Sequence, residues 1–125
     1  MKKSIQTDMQ CVAKILKYIG DIKQILINES IKSYQNLENS LAAKYAVTQL
    51  ITNVYELSTN LQPATLQLFT AFNSIEVSLA RHISSHVYDK VNFRIIYRIC
   101  TQLTDDNIFD ELNKWRAENA NESIQ

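Results

Sequence analysis

The sequence predicts an all-α fold: a single domain over residues 1–125, built as an antiparallel bundle of four to five helices. Three observations predict it. The chain has 125 residues, within the range of one domain. It contains one glycine and one proline, far too few for the tight turns of a sandwich or barrel. Apolar residues recur at alternating spacings of three and four over most of its length. A 46% hydrophobic content with balanced charge argues against disorder. A domain of this size buries roughly two-thirds of its unfolded surface, so its core needs no disulfide or metal staple.

The elements follow in order. Ile5, Met9, Val12, Leu16 and Ile19 mark one face of a first helix, widened by Ile15, Ile22 and Leu26. Gly20 lies inside that pattern and costs about 1 kcal/mol relative to alanine. Residues 28–36 lose the period and are expected to form a polar connection. A second helix carries Leu41 early, then Val47, Leu50, Val54, Leu57 and Leu61. Pro63 interrupts it or starts a new turn, and residues 64–73 suit a short helix. Ser74 is expected to cap a third helix holding Ile75, Leu79 and Ile83. Asn92 caps a fourth, whose face is Phe93, Ile96, Tyr97, Cys100 and Leu103. Thr104-Asp105-Asp106 opens a fifth, with its acids against the N-terminal dipole and Ile108, Leu112 and Trp115 buried. Residues 118–125 are expected to be a frayed tail.

Thirteen basic and thirteen acidic residues cancel, but unevenly: residues 81–98 hold four basic groups and one acid. Bulk attraction to nucleic acid is not implied, whereas a local cationic patch is. Cys11 and Cys100 are isolated and fit buried free thiols. Met1-Lys2-Lys3 is followed by no apolar signal-peptide core, and no apolar run spans a bilayer. A cytoplasmic protein without membrane association is expected.

Most catalytic templates are missing: there is no glycine-rich phosphate loop, no nucleophile elbow and no metal-ligand spacing. The outlier is Ala80-Arg81-His82-Ile83-Ser84-Ser85-His86-Val87-Tyr88-Asp89-Lys90. It gathers both histidines, an arginine and a tyrosine into eight positions. For this composition Arg-x(4)-His-x-Tyr arises by chance with a probability of roughly 0.003.

This segment resembles the HEPN superfamily, and more closely its HepT-like branch of toxin–antitoxin ribonucleases. The superfamily motif is an arginine, usually followed by Asn, Asp or His, with a histidine four to six residues beyond the arginine. Arg81, His82 and His86 match it in order, and Tyr88 completes the branch's Arg-x(4)-His-x-Tyr. The run Asp89-Lys90-Val91-Asn92-Phe93-Arg94 is similar to the branch's aspartate-rich link into an apolar fourth helix. Ala46-Val47 and Glu56 fall where the family has an Ala-Val start and a glutamate on its second helix. Gln49 and Leu50 stand where arginine and asparagine are frequent, and Ala71-Phe72-Asn73 replaces a common Pro-Trp pair. The likeness spans most of residues 5–115, with its specific part in Arg81–Tyr88.

The resemblance implies a metal-independent endoribonuclease, the toxin of a type VII pair whose antitoxin is an ATP-using minimal nucleotidyltransferase. It implies a homodimer that pools Arg81 and His86 across its axis, and AMP transfer to Tyr88 as the route of neutralisation. His82 then supports the pair, and no cofactor is required. Residue chemistry is compatible with this. RNA brings its own nucleophile, the 2′-hydroxyl, so cleavage needs a base, an acid and a cation for the phosphorane. Histidine near pKa ~6.5 serves either proton role, and arginine offers a bidentate fork to phosphate. On a continuous helix Arg81 and His86 point about 140° apart. Either the helix ends between them or two copies face each other.

Taken singly, His86 fits a hydrogen-bonded core histidine, Arg81 an ion-pairing residue and Tyr88 a packing tyrosine. Lys90, Arg94 and Arg98 recur every four residues and form either an RNA-backbone stripe or a solvated face. Two other functions stay open. One is a non-catalytic substrate-binding or nucleotide-binding companion of a nucleotidyltransferase, in which the motif is typically degenerate. The other is a helical dimerisation protein with no site.

Overall fold

The computed structural model describes residues 4–76 and 92–124. Among them the chain is all-α, with no strand, and forms a helical bundle. We number its helices α1 (Ile5–Asn28), α2 (Tyr34–Glu38), α3 (Leu41–Thr59), α4 (Pro63–Leu68), α5 (Phe93–Leu103) and α6 (Asp106–Ile124). Residues 70–76 are also helical. α1 packs on α3 and α6, and the short α2 lies against α5.

Serines start the first three helices. Ser4, Ser33 and Ser40 are extended, and each accepts a hydrogen bond from the backbone N–H three residues on. α1 runs unbroken through Gly20, around which there is open space. It ends in a Schellman turn: Ser30 N–H donates to Ile27 O at 3.2 Å and Ile31 N–H to Leu26 O at 2.8 Å. Ser30 occupies the left-handed region at φ 52°, and Ile31 is buried behind it.

The polar connection expected over 28–36 is therefore mostly structured. Five connecting residues, 29–33, and then α2 take it up, and Asn36 Oδ1 reaches back to accept from Lys32 N–H at 3.0 Å. The second predicted helix is α3, but its buried face is Ala43, Val47, Ile51, Val54 and Ser58. Leu41, expected on that face, is 68% exposed. Pro63 begins α4 at its first turn, where the missing N–H costs no helical bond.

Residues 64–73 do contribute a short helix, α4, and also its break at Phe69. That residue leaves helical geometry at ψ 74° and is buried, edge-on to Trp115 with ring centroids 5.6 Å apart. The helix that follows is already formed at 70, so Ser74 sits inside it. Ser74 Oγ donates back to Ala71 O at 3.2 Å, and Ser74 is not a cap. Asn92 caps α5 as expected, accepting from Arg94 N–H. At α6 the cap is Asp105, whose Oδ1 accepts from Asn107 N–H at 2.9 Å. Thr104 instead closes α5, its hydroxyl donating to Cys100 O. α6 continues helical to Ile124.

The core joins Val12, Ile15, Ile19 and Ile22 of α1 to Val47, Ile51 and Val54 of α3, Ile96, Ile99 and Leu103 of α5, and Ile108, Leu112 and Trp115 of α6. The start of α1 meets the segment beyond the end of α3 through Asp8, so these two helices run antiparallel. No helix among the described residues is long and apolar enough to cross a membrane.

Candidate functional site

Arg81, His82, His86, Tyr88 and Lys90 lie outside the described residues. The flanks of that segment are described: the helix at 70–76 leading in, and α5 leading out. Both are held by more than local sequence.

The incoming flank is fixed by Glu111 of α6. Its Oε1 accepts from Ala71 N–H at 3.3 Å and from the Thr70 hydroxyl at 3.4 Å, and its Oε2 from Phe72 N–H at 3.2 Å. A carboxylate thus caps the first turn of this helix from another element, meeting unpaired amides and the positive end of the dipole. Phe72 and Ile75 bury the opposite side. Glu76, the last described residue before the motif, has its carboxyl raised above the usual range by burial.

One step upstream, Asp8 does the same for α4, whose N-cap Gln62 offers no side-chain cap of its own. Asp8 is fully buried. Its Oδ1 accepts from Gln62 N–H at 3.1 Å, and its Oδ2 from the Gln62 amide at 2.9 Å and the Thr65 hydroxyl at 2.5 Å. Two carboxylates from distant helices therefore hold the stretch that delivers the chain to residue 77.

The outgoing flank begins at Asn92. Ile96, Ile99, Cys100 and Leu103 seat α5 in the core, and burial pushes the Cys100 thiol up to about 12. Cys11 and Cys100 are both buried free thiols. Arg94 and Arg98, the two described members of the predicted basic stripe, are both exposed on α5. Arg94 is engaged: its guanidinium lies 4.7 Å from the Tyr34 ring centroid and donates to the Tyr34 hydroxyl at 2.9 Å. Glu56 is exposed on α3, well down the helix from Lys44. Trp115 is a core residue.

A shallow, open hollow of about 210 Å³ lies beside the incoming flank, lined by Ser74, Ile75, Gln102, Asp105 and Asn107 among others. Among the described residues no three His, Cys, Asp or Glu side chains are grouped to hold a metal ion. Comparison with protein-family models, with curated proteins and with solved structures gives no match.

Asp8 and Glu111 were not singled out in the sequence. Asp8 did leave a signal, since it occupies an apolar-stripe position between Ile5 and Val12. Glu111 left none, because its partners lie 39 to 41 residues away. The contacts of the half-buried Tyr34 and Lys44 arise only where α2, α3 and α5 come together.

Proposed function

We propose that this chain is a metal-independent endoribonuclease, the toxin of a HepT-like pair, acting in the cytoplasm as a homodimer and silenced by a minimal nucleotidyltransferase. The observation that carries the reading is the ordered set Arg81-x(4)-His86-x-Tyr88 in a chain whose described residues form an all-α bundle. A helical bundle is the fold that the resemblance implies, and it supports the reading without deciding it. In this mechanism His86 exchanges protons with the 2′-hydroxyl and the leaving oxygen. Arg81 neutralises the charge that gathers on the phosphorane, and His82 orients the pair. Two copies would pool these groups, since on a continuous helix Arg81 and His86 would point about 140° apart.

The test is cleavage of RNA by purified wild type, Arg81→Ala and His86→Ala, with and without EDTA. Both variants are expected to lose activity while keeping helicity and oligomeric state, and EDTA is expected to leave wild type active. Cutting by His86→Ala at the wild-type rate refutes the assignment. Loss under EDTA that a divalent metal restores refutes the metal-free mechanism.

A further inference from the structure

Helices α2, α3 and α5 together build one surface of rings and cations, on which Tyr45, Arg94 and Arg98 are exposed and Tyr34, Lys44 and Phe93 half-buried. Lys44 Nζ on α3 lies 5.6 Å from the Tyr45 ring centroid and 5.9 Å from that of Phe93, the first residue of α5. Arg94, next in the chain, stacks on Tyr34 of α2 and bonds its hydroxyl. Arg98 follows one turn along α5, about 6 Å further down the axis. Tyr45 is 64% exposed, and Leu41 stands one turn before it, exposed as well. Arg94 and Arg98 are the only charged residues of α5. The acids on the other two helices are Glu38, at the end of α2, and Glu56, twelve positions beyond Lys44.

We propose that Tyr34, Lys44, Tyr45, Phe93, Arg94 and Arg98 form a platform for single-stranded RNA, with bases stacked on the exposed Tyr45 ring and against the half-buried Tyr34 and Phe93, and phosphates on the cations. Aromatic faces interleaved with arginine and lysine are what an unpaired strand requires, because every base offers a π-face and every nucleotide a charge. A duplex hides its bases and gains only the cations. Charge also weighs against a second copy as the occupant. A two-fold contact centred here would set Lys44, Arg94 and Arg98 against their own counterparts, with only Leu41 and Tyr45 as large exposed apolar side chains to offset the repulsion. The choice of RNA rests on the ribonuclease reading. Within the chain, the platform's Phe93 stands five positions past Tyr88.

The experiment measures binding of a twelve-nucleotide, mixed-sequence 2′-O-methyl RNA to the full chain by fluorescence anisotropy at several salt concentrations. The same proteins are then assayed for cleavage of unmodified RNA. Tyr45→Ala is expected to weaken binding roughly tenfold with little change in salt dependence, and Tyr45→Phe to keep it. Arg98→Gln is expected to reduce the log–log salt slope by about 0.7, and Lys114→Gln on α6 to change neither. The duplex of the same sequence is expected to bind more weakly. Wild-type affinity in Tyr45→Ala overturns the platform. So does a shift of free Tyr45→Ala to a smaller species in sedimentation, which assigns the face to a second copy. Equal affinity for a polyglutamate peptide of matched charge also overturns it, by showing that the bases are not read. The two readings fail separately. Binding that depends on Tyr45 without any cleavage removes the ribonuclease and keeps the platform, whereas cleavage with an unchanged KM in Tyr45→Ala does the reverse.

Discussion

Asp8 and Thr65, 57 residues apart, share a buried hydrogen bond that ties the first turn of α1 to α4. Asp8 is the only described residue that pairs at once with a backbone N–H, an amide and a hydroxyl of another element. Removing its carboxylate takes their acceptor from the buried Thr65 hydroxyl and from the half-buried Gln62 N–H and amide. Asp8→Ala is therefore expected to destabilise the fold by about 3 kcal/mol or more, and Asp8→Asn, which keeps one acceptor oxygen, by clearly less. Urea denaturation checks the order. Equal midpoints for Asp8→Ala and wild type would show that the network contributes nothing.

Glu111 caps the 70–76 helix across 39 to 41 residues of chain. Glu111→Ala is expected to cost about 1–2 kcal/mol, the range of a lost helix cap, and Glu111→Gln less, since its single oxygen still accepts. Hydrogen exchange at Ala71 and Phe72 reads the effect locally. Their protection is expected to fall in Glu111→Ala while that of Ile15 and Ile19 changes only with global stability.

Two positions in and after α1 carry removable cost. Ser30 holds a left-handed conformation at φ 52° that glycine adopts freely, and Gly20 sits mid-helix with open space where a Cβ would go. Ser30→Gly is expected to stabilise by about 0.5–1 kcal/mol, the strain relieved less the added freedom of the unfolded chain. Gly20→Ala is expected to add up to about 1 kcal/mol. The sites lie on separate turns without shared partners, so the gains should add in thermal melts of the double variant.

Burial pushes the Cys100 thiol up to about 12, so its thiolate is scarce in the folded protein at any ordinary pH. A thiol reagent at pH 8 is expected to spare Cys100 until the chain unfolds, then to label it readily. Raising the pH from 7 to 9 in the folded state should leave it unlabelled. Rapid labelling of native protein at pH 8, located by peptide mass, would contradict its place in the core.

The legible part of this fold was the part written in local periodicity. Val12, Ile15, Leu16, Ile19 and Ile22 are buried where the spacing put them, as are Ile96, Cys100, Leu103, Ile108, Leu112 and Trp115. Leu41 stands six positions before Val47, off the three-and-four spacing, and is exposed at the start of its helix. Residues 64–73 resisted reading because Phe69 breaks the helix and the flanking turns are capped by Asp8 and Glu111, residues that no local window contains. Ser74 looked like a cap for the same reason: with Glu111 holding the true start at 70, no local cap is needed there. Of the candidate site, Arg81, His86 and Tyr88 lie outside the described residues, while the ring-and-cation surface arose only from tertiary packing.

Tyr88 tests how the proposed toxin is restrained. It stands two residues beyond His86 in the chain, on the segment that holds the proposed catalytic pair. An AMP there would bring a phosphodiester charge to Arg81 and compete with the substrate phosphate for the same guanidinium, while its bulk fills space the RNA needs. Intact-mass measurement after co-expression with the neighbouring nucleotidyltransferase is expected to show AMP-sized additions that vanish in Tyr88→Phe. Tyr88→Phe should stay toxic beside an active partner that silences wild type, provided the phenol itself is not needed for RNA binding. Measuring RNA cleavage by Tyr88→Phe alone separates these two effects. If wild type is silenced with no added mass, restraint comes from the complex itself and Tyr88 is a packing residue.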